Sequence, residues 1–274
     1  MKAYAKVNLY LKVIDKLENN FHNLEMLNTK IDFYDELFID NASDLEHHVM
    51  MYNEKGPINI KDNLVEKAIT ELEKIRKITK VTIKIKKNIF IGGGLAGGSA
   101  DAACAIKMLN TFLKLNLSEK EVKQICVNLG SDVYYCYNDY PAIVRGTGDS
   151  IENVFAVKYY ILLVNNQITS HTKKVFEKLV IDNKTSKISD FYEAYRKKDI
   201  DKMDALFVND LEKPALEVNP QLKVVKKNLM TVENFKLSGS GSTYYLLSNS
   251  YEYLLEIQHK LERFAYKTII TRTI

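Results

Sequence analysis

The stretch from Val81 to Ala103 reads VTIKIKKNIFIGGGLAGGSADAA and decides how the fold of this chain is interpreted. From Val81 to Ile85 apolar and polar residues alternate, which is the period of a strand with one buried face. After the glycines, apolar residues recur at the spacing of a helix, at Ala102, Ile106, Leu109 and Leu113. The stretch therefore predicts a strand, a glycine-rich loop and a helix, in that order.

Five of the eleven glycines of the chain lie between Gly92 and Gly98. Without a Cβ atom, this backbone can adopt positive φ and turn several N–H groups toward one point. The helix that we expect to begin near Ser99 adds its own unpaired N–H groups and the positive end of its dipole. We therefore expect an anion at the main-chain amides between Ile91 and Ser99, and phosphate suits them best because its several oxygens can accept many converging N–H groups.

Three familiar nucleotide motifs do not fit this loop. A Walker A loop requires a lysine directly after its last glycine, where this chain has Ser99. The dinucleotide pattern GxGxxG is matched from Gly92 to Gly97, but the acidic residue expected about 20 residues later would be Glu119, which begins a helix. No VAIK, HRD or DFG motif of the protein kinases accompanies the loop.

The rest of the pattern indicates two α+β halves that meet near residue 155. Odd-numbered residues from Ala3 to Val13 are apolar, so Lys6 and Asn8 lie on the polar face of a first strand. A helix is expected over 61–77, with Asp62 as its candidate cap. The later elements are a strand at Tyr159–Asn165, a largely helical stretch to about Met230, strands near Phe235 and at Thr243–Ser248, a helix at Tyr251–Phe264 and a strand at Thr268–Thr271. With the helical stretch counted as one elaborated crossover, this order is β-α-β-β-α-β, the split βαβ arrangement.

Composition excludes several classes of protein. The chain has 274 residues, of which 46% are hydrophobic and 27% charged, and this balance is not that of a disordered or collagen-like chain. Its longest apolar run, Tyr159 to Val164, is far shorter than the roughly 20 residues that span a bilayer. The N-terminal residues lack the continuous apolar segment of a secretory signal, so we expect a cytoplasmic protein. The three cysteines form no CxxC pair, so we expect neither a zinc site nor a disulfide framework.

Five segments, in chain order, resemble the GHMP family of small-molecule kinases. The phrase from Lys87 to Ala103 is similar to the family's central ATP-binding motif, and its GGGLxGGS core most resembles the branch that acts in isoprenoid biosynthesis. The other segments are AKVNL at 5–9, FHNL at 21–24, LGSDV at 129–133 and LSGSGS at 237–242. The resemblance implies an α+β, two-domain GHMP kinase fold. It has a ribosomal-protein-like βαβ ATP-binding domain over 1–155 and a ferredoxin-like split βαβ domain with helical elaboration over 156–274.

The resemblance also implies an activity and a set of site residues. The γ-phosphate of ATP, with magnesium carried by the nucleotide, would go to the 2-hydroxyl of a cytidine diphosphate derivative of methylerythritol, with no nucleic acid or membrane as partner. Asp132 is implied as the base or hydroxyl-orienting carboxylate, with Lys6 beside it. The implied ATP-binding residues are Asn63, Lys87, Gly92, Gly93, Gly94, Leu95, Ala96, Gly97, Gly98 and Ser99. The implied substrate-binding residues are Asn8, Phe21, His22, Thr172, Phe176, Gly239 and Ser240.

Several of these residues also have plainer structural interpretations. Asp132 follows a glycine and a serine, so it is placed to cap a turn. His22 is an ordinary surface histidine unless it reads a cytosine edge, and Phe176 has the spacing of a helix core residue. Asn63 is part of the turn at a helix cap, and Gly239 belongs to a hairpin-like turn between strands.

The chain departs from the family pattern at three positions of the loop. Phe90, Ala96 and Ala100 stand where the family commonly has proline, glycine and a second serine. Ala100 offers no hydroxyl to the phosphates or to the shell of a magnesium ion, and we expect alanine at position 96 to require a negative φ.

Other functions remain open from the sequence alone. Another GHMP kinase, acting on mevalonate-pathway intermediates or homoserine, would leave the Phe21-His22 pair without a role. An RNA-binding protein would use the lysine-rich strands and the seventeen tyrosines, and its affinity would depend steeply on salt. A dinucleotide oxidoreductase is the third alternative.

Overall fold

The structure, a computed structural model, describes residues 1–181 and 186–274. Contacts divide the chain into two units that are each assembled from separate segments. The first comprises Met1–Ala5, Phe33–Ile89 and Ala96–Asp139, and the second comprises Lys6–Asp32, Phe90–Leu95 and Tyr140–Ile274. The sequence pattern predicts one boundary near residue 155 instead. The difference arises because the chain's two longest strands each run from one unit into the other.

The described residues form a mixed α+β fold. The strands are β1 (Lys2–Lys16), β2 (His22–Asn41), β3 (His48–Asn53), β4 (Gly56–Ile58), β5 (Val81–Lys86), β6 (Ala142–Gly146), β7 (Ser150–Asn153), β8 (Tyr160–Asn165), β9 (Lys236–Leu237), β10 (Tyr244–Ser248) and β11 (Lys267–Arg272). The helices are α1 (Leu64–Glu73), α2 (Gly97–Phe112), α3 (Glu119–Leu129), α4 (Val133–Tyr137), α5 (Thr172–Glu177), α6 (Ile188–Lys197), α7 (Ile200–Ala205), α8 (Glu212–Val218), α9 (Gln221–Met230) and α10 (Tyr251–Leu261). No helix in these described ranges combines the length and hydropathy needed to cross a bilayer.

In the first unit, helices α1, α2 and α3 share one core with strand β5. This strand pairs antiparallel with the second half of β2 and parallel with β3, which in turn pairs with β4. Val81, Ile83 and Ile85 are buried in that core, as their alternation predicts. Helix α2 buries every residue from Ala100 to Ile106, because it packs on several sides.

Helix α1 begins after Asn63, which is its N-terminal cap. The Oδ1 atom of Asn63 accepts a hydrogen bond of 2.9 Å from the Val65 N–H. Asp62 makes no such cap and has a φ of 57°, so the prediction of Asp62 as the cap was wrong. An asparagine side chain at this position satisfies one of the N–H groups that the first helical turn leaves unpaired.

In the second unit, four antiparallel strands lie in the order β11-β8-β10-β9. This order and the return of the chain through α10 confirm the predicted split βαβ arrangement, with α5 to α9 in the place of its first helix. Ile161, Leu162, Leu163 and Val164 of β8 are all fully buried. A strand covered on both faces explains why this run is apolar without alternation. The first half of β2 pairs with β6, and β6 pairs with β7.

Candidate functional site

The glycine loop leaves N–H groups available to a ligand. Within the described residues, the N–H groups of Gly92, Gly94 and Leu95 donate to no protein acceptor. Helix α2 then begins at Gly97, two residues earlier than predicted, and its first internal bond joins the Ala100 N–H to the Ala96 carbonyl at 2.8 Å. The N–H groups of the first three helical residues thus have no acceptor inside the helix. Such a backbone suits an anion with several acceptor oxygens, of which phosphate is the usual case.

The carbonyl groups from Gly92 to Leu95 all accept hydrogen bonds within the second unit, to which these residues belong. Ser170 N–H donates to the Gly92 carbonyl and Thr243 N–H to the Gly93 carbonyl, both at 3.0 Å. The Ser238 hydroxyl donates to the Gly94 carbonyl at 3.0 Å, and the Lys6 N–H donates to the Leu95 carbonyl at 3.1 Å. With the carbonyls occupied in this way, the loop presents donors and few acceptors to a ligand.

Ala96, the cap residue of α2, adopts the left-handed conformation with a φ of 57° and a ψ of 30°. The expectation that alanine at this position has a negative φ was therefore wrong. A residue with a Cβ atom in this region costs roughly 1–2 kcal/mol, because Cβ approaches the following carbonyl oxygen. The loop tolerates this strain at the residue where it turns into the helix.

Replacing Ala96 by glycine is expected to raise the free energy of unfolding by about 1 kcal/mol. Glycine removes the steric cost at positive φ, and its greater freedom in the unfolded chain offsets part of that gain. Urea denaturation measures the difference. The matched control is Ala100→Gly within α2, which should lower stability by about 1 kcal/mol because glycine is a poor helix former. A glycine at position 96 that fails to stabilise the protein would show that the left-handed alanine carries no strain.

Lys6 and Asn8 lie together on β1 in a buried hydrogen-bond chain. Lys6 Nζ donates to Asn8 Oδ1 at 2.7 Å, and Asn8 Nδ2 donates to Asn28 Oδ1 on β2, also at 2.7 Å. Tyr245 OH donates to the main-chain oxygen of Asn8 at 2.8 Å. A Cβ atom on Gly239 would lie 3.0 Å from Asn8 Oδ1, so the third glycine segment closely approaches this chain of side chains. Asn28 was not predicted, because no local pattern shows which strand lies beside β1.

Two further pairs of predicted substrate residues are in contact in the second unit. The rings of His22 and Phe176 stack with centroids 4.8 Å apart and planes inclined by 30°. The hydroxyls of Thr172 and Ser240 are 2.8 Å apart. Phe176 is half-buried rather than part of the core, while Phe21 is exposed. The aromatic side chains therefore remain at the surface, where they are accessible to a planar ligand.

The surroundings of the His22 ring favour its neutral form. Burial, followed by the positive charge of Lys16, lowers the pKa of His22 below its ordinary value. A neutral imidazole has one nitrogen that donates a hydrogen bond and one that accepts. It can therefore pair with a base edge that carries both an acceptor and a donor.

Lys87 belongs to a buried charge cluster in the first unit. Its ammonium group donates to the carboxylates of Asp35 and Asp101, and the second oxygen of Asp35 accepts the Ile89 N–H at 2.8 Å. A Cβ atom on Gly97 would lie 3.7 Å from Lys87 Nζ, so the cluster lies beside the start of α2. The lysine predicted to bind ATP thus holds two carboxylates, and Asp35 and Asp101 were both missed from the sequence.

The cluster shifts the pKa values of its members. Burial alone would lower the pKa of Lys87, but the charges of Asp101 and Asp35 outweigh it and raise the value. Burial raises the pKa of Asp101 to about 7 against the opposing effect of Lys87. Among the described residues, Asp101 Oδ1 has no hydrogen-bond partner, which agrees with a carboxyl group that gains little from being charged.

We expect Asp101 to make stability fall as the pH rises from about 4 to about 7. In this window the folded protein holds a proton that the unfolded chain, with an ordinary value of 3.8, has already lost. One such group lowers the free energy of unfolding by up to about 1.4 kcal/mol per pH unit. Urea denaturation of the wild type and of Asp101→Asn should therefore show the wild type losing stability relative to the variant between about pH 5 and about pH 7. Parallel pH profiles would contradict this assignment.

Asp132 stands immediately before α4 and makes no capping hydrogen bond with its side chain. Only its main-chain oxygen joins the helix, accepting the Cys136 N–H at 2.9 Å. The interpretation of Asp132 as a turn cap therefore finds no support in the geometry.

Across residues 1–181 and 186–274, no group of three or more His, Cys, Asp or Glu side chains could hold a metal ion.

Comparison with known proteins places the chain in a family. A family model described as GHMP kinases N terminal domain matches residues 63–146. The 4-diphosphocytidyl-2-C-methyl-D-erythritol kinase of Petrotoga mobilis is 34% identical over 258 residues, covering 89% of this chain and 97% of the relative. The kinase of the same name from Caldanaerobacter subterraneus is 31% identical over 281 residues, covering 100% and 96%.

Solved structures agree on the fold. A crystal structure of 4-(cytidine 5'-diphospho)-2C-methyl-D-erythritol kinase has a TM-score of 0.80 at 23% identity, covering 100% of this chain and 98% of that one. The mevalonate kinase of L. major has a TM-score of 0.74 at 17% identity, covering 100% and 95%. The expected GHMP kinase fold is thereby confirmed. Since relatives more than 30% identical align along nearly the whole chain, it belongs to the 4-diphosphocytidyl-2-C-methyl-D-erythritol kinase family, a branch of the GHMP kinases.

Proposed function

We propose that this protein transfers the γ-phosphate of ATP to the 2-hydroxyl of 4-diphosphocytidyl-2-C-methyl-D-erythritol, a step of isoprenoid precursor biosynthesis. The observation that supports it most is the glycine loop, whose carbonyls are occupied while its N–H groups at Gly92, Gly94 and Leu95 have no acceptor among the residues that the structure describes. The relatives' shared name supports the substrate. We also propose a cytoplasmic location, where ATP is supplied.

The loop and the start of α2 would bind the phosphates of the nucleotide. Main-chain N–H groups donate to phosphate oxygens, and the positive end of the helix dipole favours their charge. Ser99 supplies the hydroxyl of this segment, since Ala100 has none. Magnesium would arrive with the nucleotide and neutralise the charge on its phosphates.

Asp132 and Lys6 are the residues that we propose for the chemical step. The substrate oxygen forms a bond to the γ-phosphorus as the bond to the ADP oxygen breaks, and the hydroxyl proton passes to the Asp132 carboxylate. The Lys6 ammonium group would stabilise the charge on the transferred group. Asn8 holds the lysine through the bond of 2.7 Å described above.

The cytidine end of the substrate would be read by His22 and the two phenylalanines. A neutral imidazole offers one donor and one acceptor to the edge of cytosine, and the rings of Phe21 and Phe176 offer faces for stacking. The hydroxyls of Thr172 and Ser240, with the main chain at Gly239, are proposed to contact the rest of the substrate. A cytidine substrate gives the Phe21-His22 pair a role, which the substrates of the other GHMP kinases considered would not.

An ADP-release assay tests the function. The purified protein is given ATP and magnesium with 4-diphosphocytidyl-2-C-methyl-D-erythritol, mevalonate or homoserine in separate reactions. We expect turnover with the cytidine substrate and none with mevalonate or homoserine. Free cytidine nucleotides should inhibit this turnover. Turnover with mevalonate or homoserine instead would assign a different GHMP activity. Tight, salt-dependent RNA binding without turnover would replace the kinase proposal with nucleic-acid binding.

A further inference from the structure

The hydrogen bonds that run from Lys6 through Asn8 to Asn28 have one possible direction. An ammonium group only donates, so Asn8 must present its amide oxygen to Lys6. Its NH2 group then points the other way and requires an acceptor, which Asn28 supplies with Oδ1 at 2.7 Å. The chain of bonds can therefore form with only one orientation of each amide.

The three side chains of this hydrogen-bond chain are all buried. The exposed fractions of Lys6, Asn8 and Asn28 are 3%, 2% and 0%. Asn28 Nδ2 has no hydrogen-bond partner in the part of the chain that the structure describes. A buried donor without an acceptor is destabilising compared with an apolar side chain of similar size. Stability alone therefore does not explain an asparagine at this position, whereas its bond to Asn8 does.

We infer that Asn28 is a positioning residue for the phosphoryl transfer, an inference that rests on the proposed function. Its Oδ1 atom holds the Asn8 amide in the one orientation that can accept from Lys6. Rotation about the last side-chain bond of an asparagine is soft and nearly two-fold. Without the acceptor at position 28, the Asn8 NH2 group keeps the weaker contact with Met26 Sδ at 3.5 Å. Asn8 can then turn its NH2 group toward Lys6, and the ammonium group loses its bond to Asn8 Oδ1.

The first test compares Asn28→Leu with Asn28→Asp. Leucine has a similar size and offers no acceptor, so kcat should fall by about 10- to 100-fold, the usual effect of a misplaced catalytic group. The KM for ATP should stay the same, because the glycine loop is unaltered. Aspartate keeps an oxygen for Asn8 and should hold kcat within a few-fold of the wild type. Equal kcat values for all three proteins would overturn the inference.

A double-mutant cycle separates positioning from a general structural role. If Asn28 acts through Asn8, then Asn28→Leu should have no further effect on kcat once Asn8 has been replaced by alanine. A purely structural role would lower kcat by the same factor in both backgrounds. Additive losses of kcat would therefore contradict the inference.

A measurement without turnover keeps the inference distinct from the proposed function. The side-chain NH2 signal of Asn8 can be followed by NMR in ¹⁵N-labelled protein. We expect its protons to exchange with water faster in Asn28→Leu than in the wild type, and at the wild-type rate in Asn28→Asp. An unchanged Asn8 signal in Asn28→Leu would overturn the inference even in an active enzyme. A wild-type protein without turnover would instead contradict the proposed function.

Discussion

Asp132→Asn is expected to lower kcat by about 10²- to 10⁴-fold, the usual contribution of a general base. Asparagine has the same shape but cannot accept the hydroxyl proton. The KM for ATP should remain close to the wild-type value, because the loop that we propose to bind phosphate is unaltered. Steady-state ADP release measures both constants. Folding should be preserved, because asparagine has the shape of aspartate and the Asp132 side chain does not cap α4.

Asp139→Asn is the matched control for this variant. Asp139 lies seven residues later in the same unit, has an exposed carboxylate and pairs with Lys107 at 2.6 Å. Its replacement should leave kcat unchanged, because an exposed pair contributes little. Wild-type kcat in Asp132→Asn would remove this carboxylate from the mechanism, whatever the result for Asp139.

Gly94→Ala is expected to destabilise the protein more than a methyl group added at any other glycine of the loop. Gly94 has a φ of 75°, and a Cβ atom there would lie 2.6 Å from the Gly241 oxygen and closer still to the Ser238 oxygen. Both obstacles are main-chain atoms, which cannot rotate away as a side chain can. The cost at positive φ and the overpacking together should lower the free energy of unfolding by about 2–5 kcal/mol. ATP affinity should fall with it, because the loop must move to admit the methyl group.

Gly98→Ala shows whether this effect is specific to position 94. Gly98 lies in the first turn of α2, and its added Cβ atom would meet only Leu64 Cδ1 at 3.8 Å, an ordinary contact. We expect the free energy of unfolding to be equal or slightly higher, because alanine favours a helix over glycine. Urea denaturation of both variants measures the contrast. Similar losses at the two positions would show that the close approach at Gly94 is unimportant.

Much of the fold could be predicted from neighbouring residues. The alternation in β5, the glycines and the helical spacing of α2 are local patterns, and the structure has all three elements. The split βαβ order of the second unit was also predicted, because its strands and α10 have clear periods. Strand β2 was not predicted, because it changes partners along its length and its residues follow no single alternation.

Some residues of the candidate site could be predicted from the sequence and others could not. Lys6 and Asn8 could be placed on one strand face because the side-chain period of a strand is two. Their partner Asn28 could not, since it is 20 residues away and its role depends on which strands lie side by side. Asp35 is likewise 52 residues from Lys87. Phe21, His22 and Phe176 carried no signal of their own and entered only through the resemblance to a family.

The sequence alone determined a two-domain α+β kinase of the GHMP family with a glycine loop that we propose to bind phosphate, because periodicity, glycine clustering and motif order are properties of the chain itself. Only the tertiary structure decided that Ala96 is left-handed, that Lys87 is held by two carboxylates and that Asn28 completes the chain of bonds from Lys6. Those features depend on contacts between residues far apart in sequence, which no local pattern contains.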